Sequence, residues 1–278
     1  MLAIDARTGH LVWYNQLIKH DTHDWDAAWS DSLATTKTGT NETNVEKKVV
    51  IGGTKRGEAY ALDAADGKVL WNDTVAVQYN TGADAQANGS GTVWPGPGHG
   101  VEAYTANDNQ TAYFAVSNMA ANFFSSQGGH VDPVFDAIEN GIGNGTITAI
   151  DINTGKIKWV YPTEFPTAVS PAVTNGIVFS GHMTATGKPY SFNEDAAPIN
   201  TPLNPSGIIV ALDKYTGKKI WEFNVGAPVG IGGPSIGHGM LFVTTGFPAG
   251  ILSNKGGDII AFGLPTTTTT TTVSGGGQ

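Results

Sequence analysis

One eleven-residue pattern recurs four times and limits what this chain can fold into. It reads Ala-apolar-Asp, three residues, Gly, three residues, Trp. The copies are AIDARTGHLVW at 3–13, ALDAADGKVLW at 61–71, AIDINTGKIKW at 149–159 and ALDKYTGKKIW at 211–221; a degenerate fifth, IIAFGLP, starts at 259. Alternating apolar residues make a first strand. The Asp and Gly supply a tight turn, with Gly at positive φ, and the Trp-bearing segment returns as a second strand. The Trp is large and flat enough to fill a seam between neighbouring sheets. A further strand pair precedes the hairpin, as in KKVVIGGTKRGEAYALD and NGIVFSG. Four strands per repeat, at spacings of 58, 88 and 62 residues, predict an all-β fold, a β-propeller with about four blades.

Composition agrees with that reading. The 37 Gly and 14 Pro fall between short apolar runs, which favours strands and turns over long helices. The 88- and 62-residue spacings leave room for two excursions, FFSSQGGHVDPVFDAIENGIGNG and GHMTATGKPYSFNEDAAPINTPLNP. Four blades and a fragment do not close a ring comfortably, and the chain opens inside a blade. The expectation is therefore an incomplete ring over residues 1–264. Residues 265–278, rich in Thr and Gly, read as a flexible tail. Net charge is −9, and no more than two basic residues stand adjacent, which argues against a nucleic-acid partner. No apolar stretch is long enough to span a membrane as a helix, and the opening residues carry no signal-peptide pattern. There are no cysteines, hence no disulfides. The Thr-rich tail and five N-x-S/T sites (Asn41, Asn72, Asn88, Asn109, Asn144) point to an extracytoplasmic location, periplasmic or secreted.

Charge is scarce at 14% of residues, yet KHDTHDWDAAW at 19–29 crowds Asp21, Asp24 and Asp26 among His20, His23, Trp25 and Trp29. Taken alone, three such aspartates read as solvated loop charges. No third His or Cys stands at zinc spacing, so packing roles suit the histidines. Asp5, Asp63, Asp151 and Asp213 read as turn residues. GIGGP at 230–234 lacks the Lys-Ser/Thr and the helix of a phosphate loop.

The repeat, with its Asp-turn-Gly-Trp, resembles the tryptophan-docking motif of the quinoprotein alcohol dehydrogenases, and the likeness matches roughly the C-terminal half of that family. Those are eight-bladed propellers that use pyrroloquinoline quinone and a metal ion. The family carries His-Asp-x-x-Asp soon after one docking motif, its last Asp being the catalytic base. Here that segment is His20-Asp21-Thr22-His23-Asp24, so the resemblance gives Asp24 the base role, with His23 where the family usually has an aromatic. GGTKRGEAYALD resembles the strand whose basic residue meets the quinone carbonyls, which maps to Lys55. AYFAVSNMAANF resembles the strand that offers an Asn to the cofactor, which maps to Asn118. VGIGGPSI and TTGFPAG resemble the last cofactor-facing loops, with Phe247 where some members have Trp.

Members that use lanthanides resemble one another in an extra Asp two residues after the base, which Asp26 matches. The resemblance thus implies Asp24 and Asp26 as ligands of Ca²⁺ or a lanthanide ion, a trivalent ion wanting more anionic oxygen. The family's metal-site Glu and Asn, and the adjacent cysteines of many members, lie in its N-terminal half and have no counterpart here. The implied partners are that missing half, a small alcohol substrate and an electron acceptor such as a cytochrome.

Two function classes follow. The first is part of a quinone- and metal-dependent dehydrogenase that oxidises a primary alcohol, such as methanol or ethanol, to an aldehyde. The second is a noncatalytic propeller that keeps the docking repeats as a protein-binding scaffold. Asp24, Lys55 and Asn118 together favour the first.

Overall fold

The structure is a computed structural model and describes residues 1–19, 21, 23–27, 31–38, 45–81, 91–96, 99–125, 131–134, 143–186, 204–246 and 257–264. Strands β1 (Leu2–Ile4) and β2 (Leu11–Tyr14) form a hairpin. A four-stranded meander follows: β3 (Ser32–Thr38), β4 (Val45–Gly53), β5 (Glu58–Asp63) and β6 (Val69–Thr74). Strand β7 (Gly91–Val93) stands apart from it. Strands β8 (Ala106–Asn107) and β9 (Thr111–Met119) open the next blade. Before that blade resumes, β10 (Ala121–Ser125) and β11 (Val131–Val134) join β7 in a separate three-stranded sheet. Strands β12 (Gly143–Asp151) and β13 (Ile157–Thr163) then complete the blade. Another meander comprises β14 (Val169–Thr174), β15 (Ile177–Thr186), β16 (Asn204–Asp213) and β17 (Lys219–Asn224). The last sheet holds β18 (Ser235–Gly237), β19 (Met240–Thr244) and β20 (Ile259–Gly263).

Each recurring motif is the hairpin its sequence predicts, and all four share one register. Ala3 faces Trp13, Ala61 faces Trp71, Ala149 faces Trp159 and Ala211 faces Trp221, with a bulge directly after the Ala every time. The Asp closes the turn through backbone N–H groups. Asp5 Oδ1 accepts from Arg7 N and Thr8 N, Asp151 Oδ1 from Asn153 N and Thr154 N, and Asp213 Oδ1 from Tyr215 N and Thr216 N. The Gly of each turn has φ between 69° and 74°, where an L side chain is disfavoured.

The first three of these Trp each reach the next hairpin along the chain. Trp13 Nε1 donates to Ala64 O at 3.0 Å, Trp71 Nε1 to Ile152 O at 2.7 Å and Trp159 Nε1 to Lys214 O at 2.9 Å. The acceptor is always the residue after the turn Asp. The ring lies on the turn Gly: a Cβ on Gly67 would come within 2.4 Å of Trp13, on Gly155 within 2.9 Å of Trp71, and on Gly217 within 2.7 Å of Trp159.

The core is therefore a series of seams between sheets. One holds Trp13, Tyr60 and Leu62; the next packs Val49, Ile51 and Ala61 against Ala112, Phe114 and Ile150. A third sets Tyr113, Ile147 and Trp159 against Val178, Val210 and Leu212, and a fourth sets Val169 and Ile209 against Leu241 and Val243. This is a β-propeller whose ring is not closed. Its first and last sheets leave Leu2, Ile4, Tyr14 and Ile259 exposed. Among the described residues no helix is long and apolar enough to cross a membrane.

The two expected excursions resolve differently. The ends of GHMTATGKPYSFNEDAAPINTPLNP lengthen β15 and β16, with pairing out to Thr186 and Asn204; residues 187–203 lie outside the described set. The excursion after β9 instead contributes β10 and β11 to the extra sheet. The tail at 265–278 lies outside the described residues.

The docking contact predicts an unequal cost for two similar substitutions. A Cβ added at Gly9 would meet nothing within 4 Å, although its φ is 72°. Gly9→Ala should lose only about 1 kcal/mol, the cost of a left-handed Ala. Gly155→Ala should lose about 1–3 kcal/mol more because the new methyl meets Trp71. Urea unfolding followed by intrinsic fluorescence measures both, and equal losses would mean that the indole does not rest on its turn.

Candidate functional site

The segment between β2 and β3 is pinned from three sides. The Trp25 ring is fully buried, stacks on His23 at 4.5 Å, and donates from Nε1 to Pro95 O at 3.0 Å. His23 N donates to Asp21 Oδ1 at 3.0 Å, so Asp21 closes a local turn. Asp26 O accepts from Lys55 N at 3.1 Å, which ties the segment to the turn between β4 and β5. With Trp25 inside, its neighbours point outward: the side chains of Asp24 and Asp26 are 66% and 53% exposed. Asp24 takes a left-handed backbone, φ 56°, tolerated by Asp better than by most residues.

Both carboxylates converge on one cation. Lys55 Nζ lies 3.1 Å from Asp24 Oδ2 and 3.0 Å from Asp26 Oδ1, and its side chain is only 10% exposed. Lys55 stands in the β4–β5 turn rather than within the strand that sequence likeness indicated. Gly100 packs on the Lys55 carbonyl so closely that a Cβ would sit 2.1 Å from it. Val101 N donates to Thr54 O at 3.0 Å, and Gly100 exchanges backbone hydrogen bonds with Ser117. The 99–103 segment thus links the Lys55 turn to β9.

Electrostatics follow from partial burial. Desolvation raises the Asp24 carboxyl, helped by Asp26, while the Lys55 hydrogen bond pulls it down; the balance is upward. Burial would lower Lys55, but hydrogen bonds to Asp26 and Asp24 outweigh it and raise the ammonium. An ion pair ordinarily lowers its acid; at Asp24 desolvation outweighs that pull. Water reaching the exposed Asp24 screens both effects.

Asn118 lies on β9, buried. Its Oδ1 accepts from Val77 N at 3.0 Å and its Nδ2 donates to Asn144 Oδ1 at 3.2 Å. Among the described residues no hydrogen bond joins it to Asp24, Asp26 or Lys55. His20 and Phe247 lie outside the described set. One group escaped the sequence reading altogether: Glu102. Burial pushes its carboxyl up to about 7, with Lys55 opposing and Asp24 and Asp26 adding to the rise. Nothing in VEAYTAND sets this Glu apart from a surface residue; only the linkage of 99–103 to the Lys55 turn brings it near.

The donor set suits part of a cation site. Two hard carboxylate oxygens already share one positive charge, but an ion with six to eight ligands needs more oxygens than this pair offers. Among the described residues no group of three His, Cys, Asp or Glu side chains is placed to hold a metal. For a quinone, Lys55 is the nearby cation that could meet a carbonyl oxygen.

A propeller of tryptophan-docked hairpins, with a carboxylate pair gathered on one lysine, is the class that fold and site define. Residues 1–84 match the family model described as the beta-propeller domain of glucose/ethanol/alcohol dehydrogenase, PQQ. The chain is 26% identical to a probable quinate dehydrogenase (quinone) of Xanthomonas campestris pv. juglandis, over 95% of this chain and 36% of that protein. Among solved structures it is similar to the quinohemoprotein alcohol dehydrogenase ADHIIG of Pseudomonas putida HK5, with TM-score 0.65 and 17% identity over 88% of this chain and 38% of the other. It is also similar to a europium-containing methanol dehydrogenase, with TM-score 0.62 and 18% identity over 88% and 44%. The resemblance to the quinoprotein alcohol dehydrogenases is borne out, and so is the propeller fold. The chain spans about a third of the length of the curated relatives it matches.

Glu102 predicts a pH dependence of stability. Its ordinary value is 4.5, and the folded chain raises it to about 7. Between those values the folded form keeps a proton that the unfolded form has released, so stability falls as pH rises through the window. Glu102→Gln should match the parent near pH 4 and exceed it at pH 8 by on the order of 2 kcal/mol. Melting temperatures across that range, in buffer free of multivalent ions, measure it; parallel curves would mean that Glu102 is solvated.

Proposed function

We propose that this chain is part of a quinone- and metal-dependent alcohol dehydrogenase that oxidises a primary alcohol, such as methanol or ethanol, to an aldehyde. The observation that carries the reading is the convergence of Asp24 Oδ2 and Asp26 Oδ1 on Lys55 Nζ, in the segment whose sequence resembles the base-bearing motif. Bound there, pyrroloquinoline quinone would supply the two-electron acceptor and Ca²⁺ or a lanthanide ion the Lewis acid. The chain's own residues do the rest. Asp24 takes the hydroxyl proton of the alcohol onto a carboxylate oxygen, within hydrogen-bond reach of the substrate. Asp26 adds the second anionic oxygen for the ion. Lys55 offers its N–H bonds to the oxygen where negative charge grows. Trp25 and His23 hold the loop that carries both aspartates. Asn118 and Phe247 belong to the cofactor wall in this reading, Asn118 through the amide hydrogen left after its bond to Asn144. The electron acceptor is a separate protein such as a cytochrome, and the location is extracytoplasmic.

The assay is dye-linked alcohol oxidation by the protein with its ring completed and its cofactors supplied. Asp24→Asn keeps the shape and removes the proton acceptor. Turnover should fall on the order of 10²- to 10⁴-fold, the usual span for a general base. Near-normal turnover would take Asp24 out of the base role.

A further inference from the structure

Asn72, Asn109 and Asn144 each begin an N-x-S/T sequon among the described residues, and the fold treats the three differently. A sequon offers two groups: the Asn amide, which receives the sugar, and the Ser or Thr hydroxyl that marks it. In Asn109-Gln110-Thr111 both are engaged. Asn109 Oδ1 accepts from Thr35 N at 3.1 Å, which ties the β8–β9 turn to β3. Thr111 is buried, and its hydroxyl accepts from Lys158 Nζ at 2.9 Å. Asn144-Gly145-Thr146 is committed in the same way. Asn144 Oδ1 accepts from Asn118 Nδ2 at 3.2 Å, and the Thr146 hydroxyl shares a hydrogen bond with that of Thr148 at 3.0 Å.

Asn72-Asp73-Thr74 differs on every count. It lies on β6, an edge strand whose one neighbour is β5. Asn72 and Thr74 are both exposed, and among the described residues no hydrogen bond engages the Asn72 amide or the Thr74 hydroxyl. Residues two apart on a strand share a face, so amide and hydroxyl are presented side by side. Trp71 points to the other face, where its Nε1 holds Ile152 O. A sugar on Asn72 therefore leaves the docking seam untouched.

We propose that Asn72 is an N-glycosylation site, and that the fold keeps Asn109 and Asn144 bare. The donor is a lipid-linked oligosaccharide. Asn72 Nδ2 forms a bond to the anomeric carbon of the sugar. The bond from that carbon to the lipid phosphate oxygen breaks, the lipid phosphate leaves with the electron pair, and the amide gives up one proton. The inference rests on the extracytoplasmic location given under Proposed function, since a sequon is an acceptor in a secreted protein.

The test takes the protein from its native host after cell fractionation and reads peptides spanning Asn72, Asn109 and Asn144 by mass spectrometry, each as glycopeptide or bare peptide. Asn72 should carry the glycan in most molecules, and Asn109 and Asn144 should be bare. Thr74→Val, made in the same host, should lose the glycan although Asn72 itself is intact, and Thr74→Ser should keep it. A bare Asn72 in protein recovered outside the cytoplasm would overturn the inference and leave the location standing. Protein recovered only from the cytoplasm, with Asn72 bare, would overturn the location and the inference together. Occupancy at Asn109 or Asn144 equal to that at Asn72 would overturn the selection by the fold, and a glycan that survives Thr74→Val would show that the sequon is not what the host reads.

Discussion

An indole lying on a glycine holds this molecule together. Each docked tryptophan, from Trp13 to Trp159, covers the turn of the following hairpin and donates one hydrogen bond to its backbone. Neither half of that contact works without the other. The ring would not approach the turn if the glycine carried a Cβ, and the buried N–H would lack a partner if the turn shifted. Because the contact joins consecutive sheets, it converts a string of separate meanders into a ring sector with apolar seams. Among the described residues, the core of each blade is shared with its neighbour.

The candidate site depends on that arrangement at one remove. Trp25 lies outside the docking repeat, yet it is buried more completely than the docking tryptophans. It anchors the 23–27 segment through Pro95 O, while Lys55 N takes Asp26 O. The aspartates are thereby held on a loop whose two anchors come from different parts of the first complete blade and its following connection. A loop fixed by a buried ring and a backbone hydrogen bond can hold two like charges together. A loop fixed only by its own turn would spread them apart.

Much of this was legible in the sequence because it was local and repeated. The eleven-residue motif encodes its strand, turn and return within itself, and the structure gives all four copies the same register and the same bulge. The meeting of Asp24, Asp26 and Lys55 was legible through family likeness, since nothing in 31 residues of spacing brings Lys55 to Asp24 on its own. What the sequence hid was non-local. Glu102 looks ordinary until Gly100 closes on the Lys55 carbonyl. The sheet of β7, β10 and β11 joins segments about thirty residues apart, with no periodic signal to link them. The long arms of β15 and β16 read as a loop because their pairing extends past the apolar alternation into Thr, Ser, Pro and Asn.

The bulge after the alanine of each docking hairpin has a consequence for how such a chain can change in length. It sets the strand phase so that Ala and Trp face one another across a turn of fixed span. One residue more or less in that turn would put the indole on the opposite face of its sheet. The other connections carry no such lock, and the spacings of 58, 88 and 62 residues record it. Growth by insertion is confined to the connections outside the docking turns, and one of these, after β9, already carries a sheet of its own. New surface can therefore be added to this architecture without renegotiating the contacts that hold it.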